Sequence, residues 1–268
     1  MLTYRQKTAL ITGASSGIGA SFARELAHRG MNLILVARSE SKLQTLATEL
    51  SRHDCRIEVV VCDLSQPGAA QHIYNVIQHR QLQVDLLINN AGFGTYGLFE
   101  QLEPEREQEE IRLNVAAVVD LSRAFIPDML KQGSGAIINV ASTAGHQPVP
   151  YMAVYGATKA FVLSFSEALW AEYRDRGIRV LALCPGPTET PFHAIAQERQ
   201  VGQMTSPETV VSVGLKALEQ GRSYVIPGRM NAFLSVLLPR LLPRALVALI
   251  AKQMTQPIPN SSVQLQEP

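Results

Sequence analysis

A tyrosine and a lysine stand four residues apart in Tyr155-Gly156-Ala157-Thr158-Lys159. On a helix that spacing puts both side chains on one face, with their Cβ atoms about 6 Å apart. A phenol is a poor acid or base at neutral pH, because its ordinary pKa is about 10. A neighbouring ammonium favours the phenolate and brings that value toward the working range. Such a pair can exchange a proton with a substrate oxygen. The same spacing also arises in solvated helical pairs that do no chemistry, so its meaning depends on the rest of the chain.

A second stretch offers a place for a phosphate-bearing cofactor. Thr12-Gly13-Ala14-Ser15-Ser16-Gly17-Ile18-Gly19 follows an apolar run and opens a helical pattern. Glycines permit a tight turn and close approach of backbone to a pyrophosphate, and the first N–H groups of a helix attract the anion. The spacing is Gly-x-x-x-Gly-x-Gly, which also suits a turn with no ligand. The strand–turn–helix context favours the dinucleotide reading, with contacts at Gly13, Ser15, Ser16, Gly17, Ile18 and Gly19.

Three further points extend that site. The second strand ends at Val36-Ala37-Arg38, where doubly wound folds place the adenosine ribose. An acidic residue there would bind the 2′-hydroxyl and repel a 2′-phosphate. Arg38 instead pairs with a phosphate, which favours NADP over NAD; the alternative is a surface arginine near no ligand. Asp63 follows the third strand and can accept from the adenine amine, while Leu64 offers its backbone. Asp63 is equally placed to cap the segment after it. Asn89-Asn90-Ala91-Gly92 closes the fourth strand with residues small enough for the chain to pass close to the ribose. Its asparagines also suit the satisfaction of buried turn backbone.

These residues need a scaffold, and the apolar pattern supplies one. Strand-like runs fall at 8–11, 33–36, 57–61, 86–88, 136–140, 180–183 and 224–226. Helical patterns lie between them at 18–29, 40–52, 69–80, 105–131, 155–176 and 207–220. Pro127 is expected to bend or end the fourth of these helices. Strands that are continuously apolar, alternating with helices, argue for a parallel sheet covered on both faces. Right-handed crossovers make it doubly wound: an α/β, Rossmann-like sheet of about seven strands. One domain through residue 228 follows. Residues 229–268 read as an apolar helical extension with a polar tail rather than an independent domain.

Composition narrows the function classes. The chain has 268 residues, 46% hydrophobic and 18% charged, with a formal net charge of +1. That is enough apolar material for a large core and no electrostatic reason to expect a nucleic-acid partner. Cys55, Cys62 and Cys184 are scattered, with no Cys-x-x-Cys and no expected metal site. The first residues run straight into a strand pattern without a signal-like apolar segment, which makes the cytoplasm the expected compartment.

Taken together, the chain resembles the short-chain dehydrogenase/reductase family in its single-domain, NADP-preferring form. The resemblance rests on the glycine turn from Thr12 to Gly19, Asp63, Asn89-Asn90-Ala91-Gly92, Asn114, Ser142, Tyr155-x-x-x-Lys159 and Pro185-Gly186, all in the family's order. It spans residues 8 to 228. It implies that Tyr155 is the general acid in carbonyl reduction and the base in alcohol oxidation. Lys159 would hold the nicotinamide ribose and lower the tyrosine's pKa. Ser142 would orient the substrate oxygen, and Asn114 would hold a water joining Lys159 to solvent. In Pro185-Gly186-Pro187-Thr188-Glu189-Thr190, the backbone at Thr188 and the Thr190 hydroxyl would bind the carboxamide. Thr188 departs from the family's usual aliphatic residue. The chemistry agrees: hydride transfer to a carbonyl builds alkoxide charge, which needs a proton donor and a directed hydrogen bond.

The substrate is expected to be a small hydrophobic carbonyl or alcohol. Its walls would come from loops 93–102, 143–151 and 191–206, where Phe93, Tyr96, Phe99, Val149, Tyr151, Phe192 and Met204 are mostly apolar and His146 and His193 are polar. A non-catalytic NADP-binding sensor or scaffold is the alternative function, and the proton-relay set argues against it. The resemblance implies a homodimer or homotetramer. In residues 232–250, two prolines and two arginines interrupt the apolar run, which argues against a membrane span. A pair of short helices, the second starting at Pro243, would pack on the domain or a second subunit. Peripheral membrane contact or a lid over an apolar substrate are the other readings.

Overall fold

The continuously apolar runs become strands buried on both faces. β1 (Thr8–Thr12), β2 (Asn32–Ala37), β4 (Leu86–Asn89), β5 (Gly135–Val140) and β6 (Ile178–Leu183) form the interior of a seven-stranded sheet. β3 (Ile57–Val61) and the two-residue β7 (Tyr224–Val225) are its edges. The structure is a computed structural model and describes residues 4–192, 196 and 204–256. The order is β3-β2-β1-β4-β5-β6-β7, and every pairing is parallel. The direction of winding reverses between β1 and β4. Ligand crevices in such sheets open at that reversal, beyond the carboxyl ends of the strands. The glycine turn leaves β1 at this point, and Asn90-Ala91-Gly92 leaves β4 beside it.

Successive strand residues point to opposite faces, and each face is covered by its own helices. Ile11, Leu33, Leu35, Ile138 and Leu181 meet α1 (Gly17–His28), α2 (Glu40–Leu50) and α7 (Pro207–Glu219). Leu10, Ile34, Leu87, Ile137 and Val180 meet α3 (Ala69–His79), α5 (Ala117–Gln132) and α6 (Ala153–Tyr173). A buried polar ladder fixes α6 over the sheet. Asn89 Nδ2 donates to Asn139 Oδ1 at 2.8 Å, and Asn139 Nδ2 donates to Ser166 Oγ at 2.9 Å. Ser166 in turn donates to the Val162 carbonyl. Buried polar groups this well matched resist rotation or sliding of the helix, since any slip leaves one unpaired.

Two expectations change. The helix expected over 105–131 is α4 (Pro104–Ile111), a π-turn (Arg112–Ala116) and α5. The wider turn places the Asn114 side chain inward, where it bonds the backbone of Phe93. Such insertions concentrate at functional sites. Pro127 does not end α5. The helix runs to Gln132 and stops at Gly133, whose φ of 65° is left-handed. Buried Phe125, Ile126 and Met129 around the proline hold the helix against the sheet despite the lost N–H.

The C-terminal segment forms the expected pair. α8 (Arg229–Ala232), a π-turn (Phe233–Leu237) and α9 (Leu238–Leu241) run head to tail, and α10 (Arg244–Thr255) follows Pro243. Val247 and Ala251 turn inward. The end of α10 is tied to the loops above the sheet: Thr255 Oγ1 donates to the Pro150 carbonyl at 3.0 Å, and Tyr96 Oη donates to the Thr255 carbonyl at 2.7 Å. No helix among the described residues is long and apolar enough to cross a membrane.

Candidate active site

α6 begins at Ala153, so Tyr155 and Lys159 occupy its first two turns at the carboxyl edge of the sheet. Both are buried. Lys159 Nζ lies 5.7 Å from the centre of the Tyr155 ring and donates to the Val140 carbonyl at 2.8 Å, where β5 ends. Burial pushes the ammonium down to about 8, against the opposing pull of the Glu110 charge. Thr158, between them in sequence, is buried as well. Its hydroxyl donates to the Tyr155 carbonyl at 2.8 Å and accepts from Asn114 Nδ2 at 3.1 Å.

Asn114 joins this helix to β4. Its Nδ2 also donates to the Phe93 carbonyl at 2.8 Å, and its Oδ1 accepts from the Phe93 N–H at 3.2 Å. Gly92 leaves the room in between. A Cβ there would lie 2.8 Å from Asn114 Oδ1 and 3.5 Å from Lys159 Nζ. Asn114 and Lys159 therefore converge on one short piece of backbone, which a side chain would force apart.

Ser142 follows β5 and opens a short 3₁₀ turn (Thr143–His146). Its Oγ accepts from the Ala144 N–H at 3.1 Å and donates to the Pro185 carbonyl at 3.5 Å. It thus caps its own turn and touches the loop after β6. The turn rests directly on α6, since a Cβ on Gly145 would lie 2.6 Å from the Lys159 carbonyl oxygen. Four residues from three stretches of chain, Asn114, Ser142, and Tyr155 with Lys159, are gathered at one edge.

The glycine turn forms a cradle beside them. Gly13 and Gly17 adopt φ of 65° and 54°, which L side chains rarely reach. A Cβ on Gly19 would lie 2.3 Å from the Gly13 carbonyl oxygen. Thr12 is the buried hub: its Oγ1 accepts from the N–H groups of Asn90 (2.9 Å) and Ala91 (3.0 Å) and donates to the Ile88 carbonyl at 3.2 Å. Asn90 Nδ2 closes the turn on the Thr12 carbonyl at 2.9 Å. The Ser16 side chain makes no capping bond at the start of α1. The helix end is left to backbone N–H groups and a positive dipole, which suits a phosphate. On these observations the residues fit a dinucleotide.

The two ends of that cradle differ. Arg38 is exposed and pairs with Glu109 of α4 at 3.3 Å. Asp63 accepts from Ser65 N–H (3.0 Å), Ser65 Oγ (2.8 Å) and Gln66 Nε2 (3.4 Å), so its carboxylate secures the turn after β3. Burial works to raise this carboxyl, but the bonds from Ser65 and Gln66 and the charge of Arg38 hold it below the usual range. Leu64 is buried in the core. At the other end, Thr190 crosses the start of α1, since a Cβ on Gly17 would meet its Cγ2 at 3.0 Å. Thr188 is buried and donates to the Gly186 carbonyl at 2.9 Å, so its hydroxyl is committed within the loop.

Of the expected walls, Phe192 packs on Tyr155 with ring centres 5.2 Å apart. Gly94 allows both rings to approach, because a Cβ there would meet Tyr155 at 3.0 Å and Phe192 at 3.1 Å. Tyr96 lies 6.4 Å from Tyr151, whose φ of 64° is strained for a tyrosine. Val149 packs near Gly156. His146 instead packs on Tyr224 at 5.9 Å, and burial lowers its pKa, so it is removed from the list of polar wall groups. His193 lies outside the described residues.

Two residues near the site escaped the sequence reading. Asn231, from α8, sits against the loop after β6: a Cβ on Gly186 would lie 2.7 Å from its Nδ2. Glu110 is wholly buried beneath residues 93–95. The run Pro104-Glu105-Arg106-Glu107-Gln108-Glu109-Glu110 reads as a solvated helix face, and nothing in it marks one carboxylate as internal. The single available signal is its spacing of four from Asn114.

The comparisons with known proteins agree with this geometry. The profile of the short chain dehydrogenase family matches residues 7–200. A very-long-chain 3-oxoacyl-CoA reductase of Anas platyrhynchos is 32% identical over 240 residues, covering 86% of this chain and 75% of that one. Oxidoreductase UcpA of Escherichia coli is 33% identical over 233 residues, covering 85% of this chain and 87% of that one. Among solved structures, a short-chain dehydrogenase from Sphingobium yanoikuyae in complex with NADPH superposes with a TM-score of 0.80 at 32% identity, over 96% of this chain and 99% of that one.

Proposed function

The chain belongs to the short-chain dehydrogenase family and is an oxidoreductase of it, and from that premise we propose that it interconverts a hydrophobic ketone or aldehyde and its alcohol with NADP(H), Tyr155 acting as the general acid or base. The observation that carries this reading is the burial of Lys159 under the Tyr155 ring, with Asn114 and Ser142 at the same edge.

When bound, the nicotinamide donates or accepts the hydride. The chain's residues do the remainder. The glycine turn and the start of α1 hold the pyrophosphate. Exposed Arg38 meets the 2′-phosphate by exchanging its partner Glu109 for a stronger anion. The NADPH complex of the relative from Sphingobium yanoikuyae supports the same preference. Tyr155 gives its phenolic proton to the substrate oxygen as alkoxide charge develops, and takes it back in the reverse direction. Lys159 stabilises the phenolate, and its ammonium stays close because Val140 and the Gly92 backbone fix it. Ser142 directs a hydrogen bond at the same oxygen. Asn114 holds the Phe93 backbone and Thr158 in register, so that Lys159 keeps a polar path on its far side.

The apolar character of Tyr96, Tyr151 and Phe192 supports a hydrophobic substrate, as does the reductase of very-long-chain acyl substrates among the relatives. Pairing of two copies is part of the same reading. So is contact of the C-terminal helices with an anionic lipid surface. Its support is the row of exposed apolar side chains there and the lack of any Asp or Glu between Glu219 and Glu267. The test of the reaction is Tyr155→Phe. NADPH binding, read by fluorescence, should persist while turnover of a screened ketone disappears. Turnover in that variant would overthrow the assignment of Tyr155, and NADPH binding without turnover of any carbonyl by the unmodified protein would make it a sensor.

A further inference from the structure

Glu110 sits one helical turn before Asn114, on the inward side of α4, and is completely shielded from solvent. Its Oε2 accepts from Thr95 twice, from the N–H at 3.0 Å and from Oγ1 at 2.8 Å. Among the described residues, its Oε1 is buried with no partner. A native fold seldom keeps a buried carboxyl half satisfied without a reason. Resting on the reading of Tyr155 and Lys159 given above, we propose that Glu110 is the buried counter-charge of this site, a positioning residue that keeps the Lys159 ammonium protonated and, through Thr95, holds the backbone that walls Tyr155.

The geometry links the three groups. Glu110 and Asn114 grip Thr95 and Phe93 from consecutive turns of one helical path. Between Phe93 and Thr95 lies Gly94, against which the Tyr155 ring rests. Asn114 Oδ1 and Lys159 Nζ both flank Gly92, two residues before that contact. The charged groups are few. Glu110 feels the charge of Lys159 on α6 and of its own neighbour Glu107 on α4. Lys159 faces Glu110, the Tyr155 ring and Cys184. Arg106 and Glu109 pair with each other on the outer side of α4, where Arg106 also covers the Phe93 ring at 3.7 Å. Glu110 is thus the carboxylate that opposes the desolvation of Lys159 from within. Burial pushes its own carboxyl up to about 7, so the counter-charge is switched on across neutral pH.

Removing it should act with one sign on both partners. An ammonium that loses a nearby anion gives up its proton more readily, and a phenol that loses the same anion ionises more readily. The two titrations are coupled, and both move to lower pH. The direct measurement is the titration of the Lys159 ε-carbon by NMR in protein carrying ¹³C-labelled lysine, assigned with Lys159→Met. In Glu110→Gln the midpoint should fall by about one pH unit. Thr95→Val, which weakens support for the carboxylate, should shift it the same way by less, and serves where the first variant folds poorly. The alkaline limb of reduction and the acid limb of oxidation should follow to lower pH. A Lys159 midpoint unchanged in either folded variant overturns the proposal. Failure of the Tyr155 assignment shows separately, as turnover in Tyr155→Phe, and leaves the lysine titration readable.

Discussion

The edge of the sheet around Lys159 and the helices after residue 228 are built on opposite terms. At the edge, polar side chains are inside and almost every one is committed: Asn114 makes three bonds, Thr12 three, Thr158 two. In the C-terminal helices, apolar side chains are outside. Eight of the thirteen large hydrophobic residues exposed among the described residues fall between Met230 and Met254. Buried polar groups must be satisfied or they cost free energy, so the first region admits one arrangement. Exposed apolar groups are satisfied by any apolar cover, so the second leaves its partner open. In the reading proposed above, the first region does chemistry on one atom and the second meets a surface.

The comparison predicts that substitutions at the edge will be large and specific. Tyr155→Phe should lower kcat by about 10²–10⁴, the usual worth of a placed acid or base, with NADPH affinity and thermal midpoint nearly unchanged. Stopped-flow turnover beside a binding titration checks this. A loss shared equally between binding and turnover would mean that the ring matters as packing against Phe192 and Gly94 rather than as a proton donor.

At the rim of the same region, Arg38 should show an effect of intermediate size. It is exposed and held by one carboxylate, so it contributes little until a phosphate arrives. Arg38→Asp removes a charge-assisted contact worth about 1.5–3 kcal/mol, or roughly 10–100-fold in NADPH affinity. NADH affinity should hold or improve. Isothermal titration with both cofactors decides the matter, and equal losses would remove Arg38 from the phosphate site.

The two regions also differ in what could be read from the sequence. The parallel sheet was legible because its strands are continuously apolar, and the glycine turn because backbone that must approach a phosphate or Asn90 tolerates no Cβ. Tyr155 and Lys159 were singled out by a spacing that equally suits a solvated pair; both side chains are buried. Glu110 was not legible, because a carboxylate in a run of Glu, Arg and Gln carries no mark of burial; the π-turn and its inward bonds decide that. The π-turn itself escaped because five residues of wider helix leave the apolar period almost intact. Pro127 does not end its helix: the local penalty is real, but packing of Phe125 and Met129 outweighs it. Asp63 had two readings, and the structure shows its carboxylate securing the turn that follows it. His146 was read by its loop position, while its ring is settled by contact with Tyr224.

The buried charges give the edge region a distinctive stability profile. The Glu110 carboxyl ordinarily titrates near 4.5 and is raised to about 7 in the fold. Between those values the native state holds a proton that the unfolded chain has lost, so stability falls as pH rises through this window. Lys159 is lowered from 10.5 to about 8. Between about 8 and 10.5 the unfolded chain holds the extra proton, so stability rises again with pH. Glu110→Gln should flatten the fall below pH 7, an effect of about 3 kcal/mol at most. Urea unfolding across pH 4.5–10 measures both slopes. A fall of the same size in the variant would mean that another group is the source.

The smallest effects on the folded molecule should come from the C-terminal helices, and there the comparison is sharpest. Leu249 and Ile250 are exposed on α10, while Val247 and Ala251 face the other way and are buried. Leu249→Ser with Ile250→Ser should therefore change unfolding free energy by less than about 0.5 kcal/mol, as surface substitutions do, and leave turnover of a water-soluble ketone intact. The same change should weaken co-sedimentation with vesicles rich in anionic lipid by about thirtyfold, since each of the two aliphatic side chains withdrawn from the interface forfeits roughly 1 kcal/mol. Arg240, Arg244 and Lys252 have no acidic neighbour in sequence between Glu219 and Glu267. Binding should therefore fall with added salt. The same cations repel a second copy of this face, which argues against its pairing with itself. A double variant that binds vesicles normally but shifts from dimer to monomer in analytical ultracentrifugation would reverse that argument and give the helices to a subunit interface.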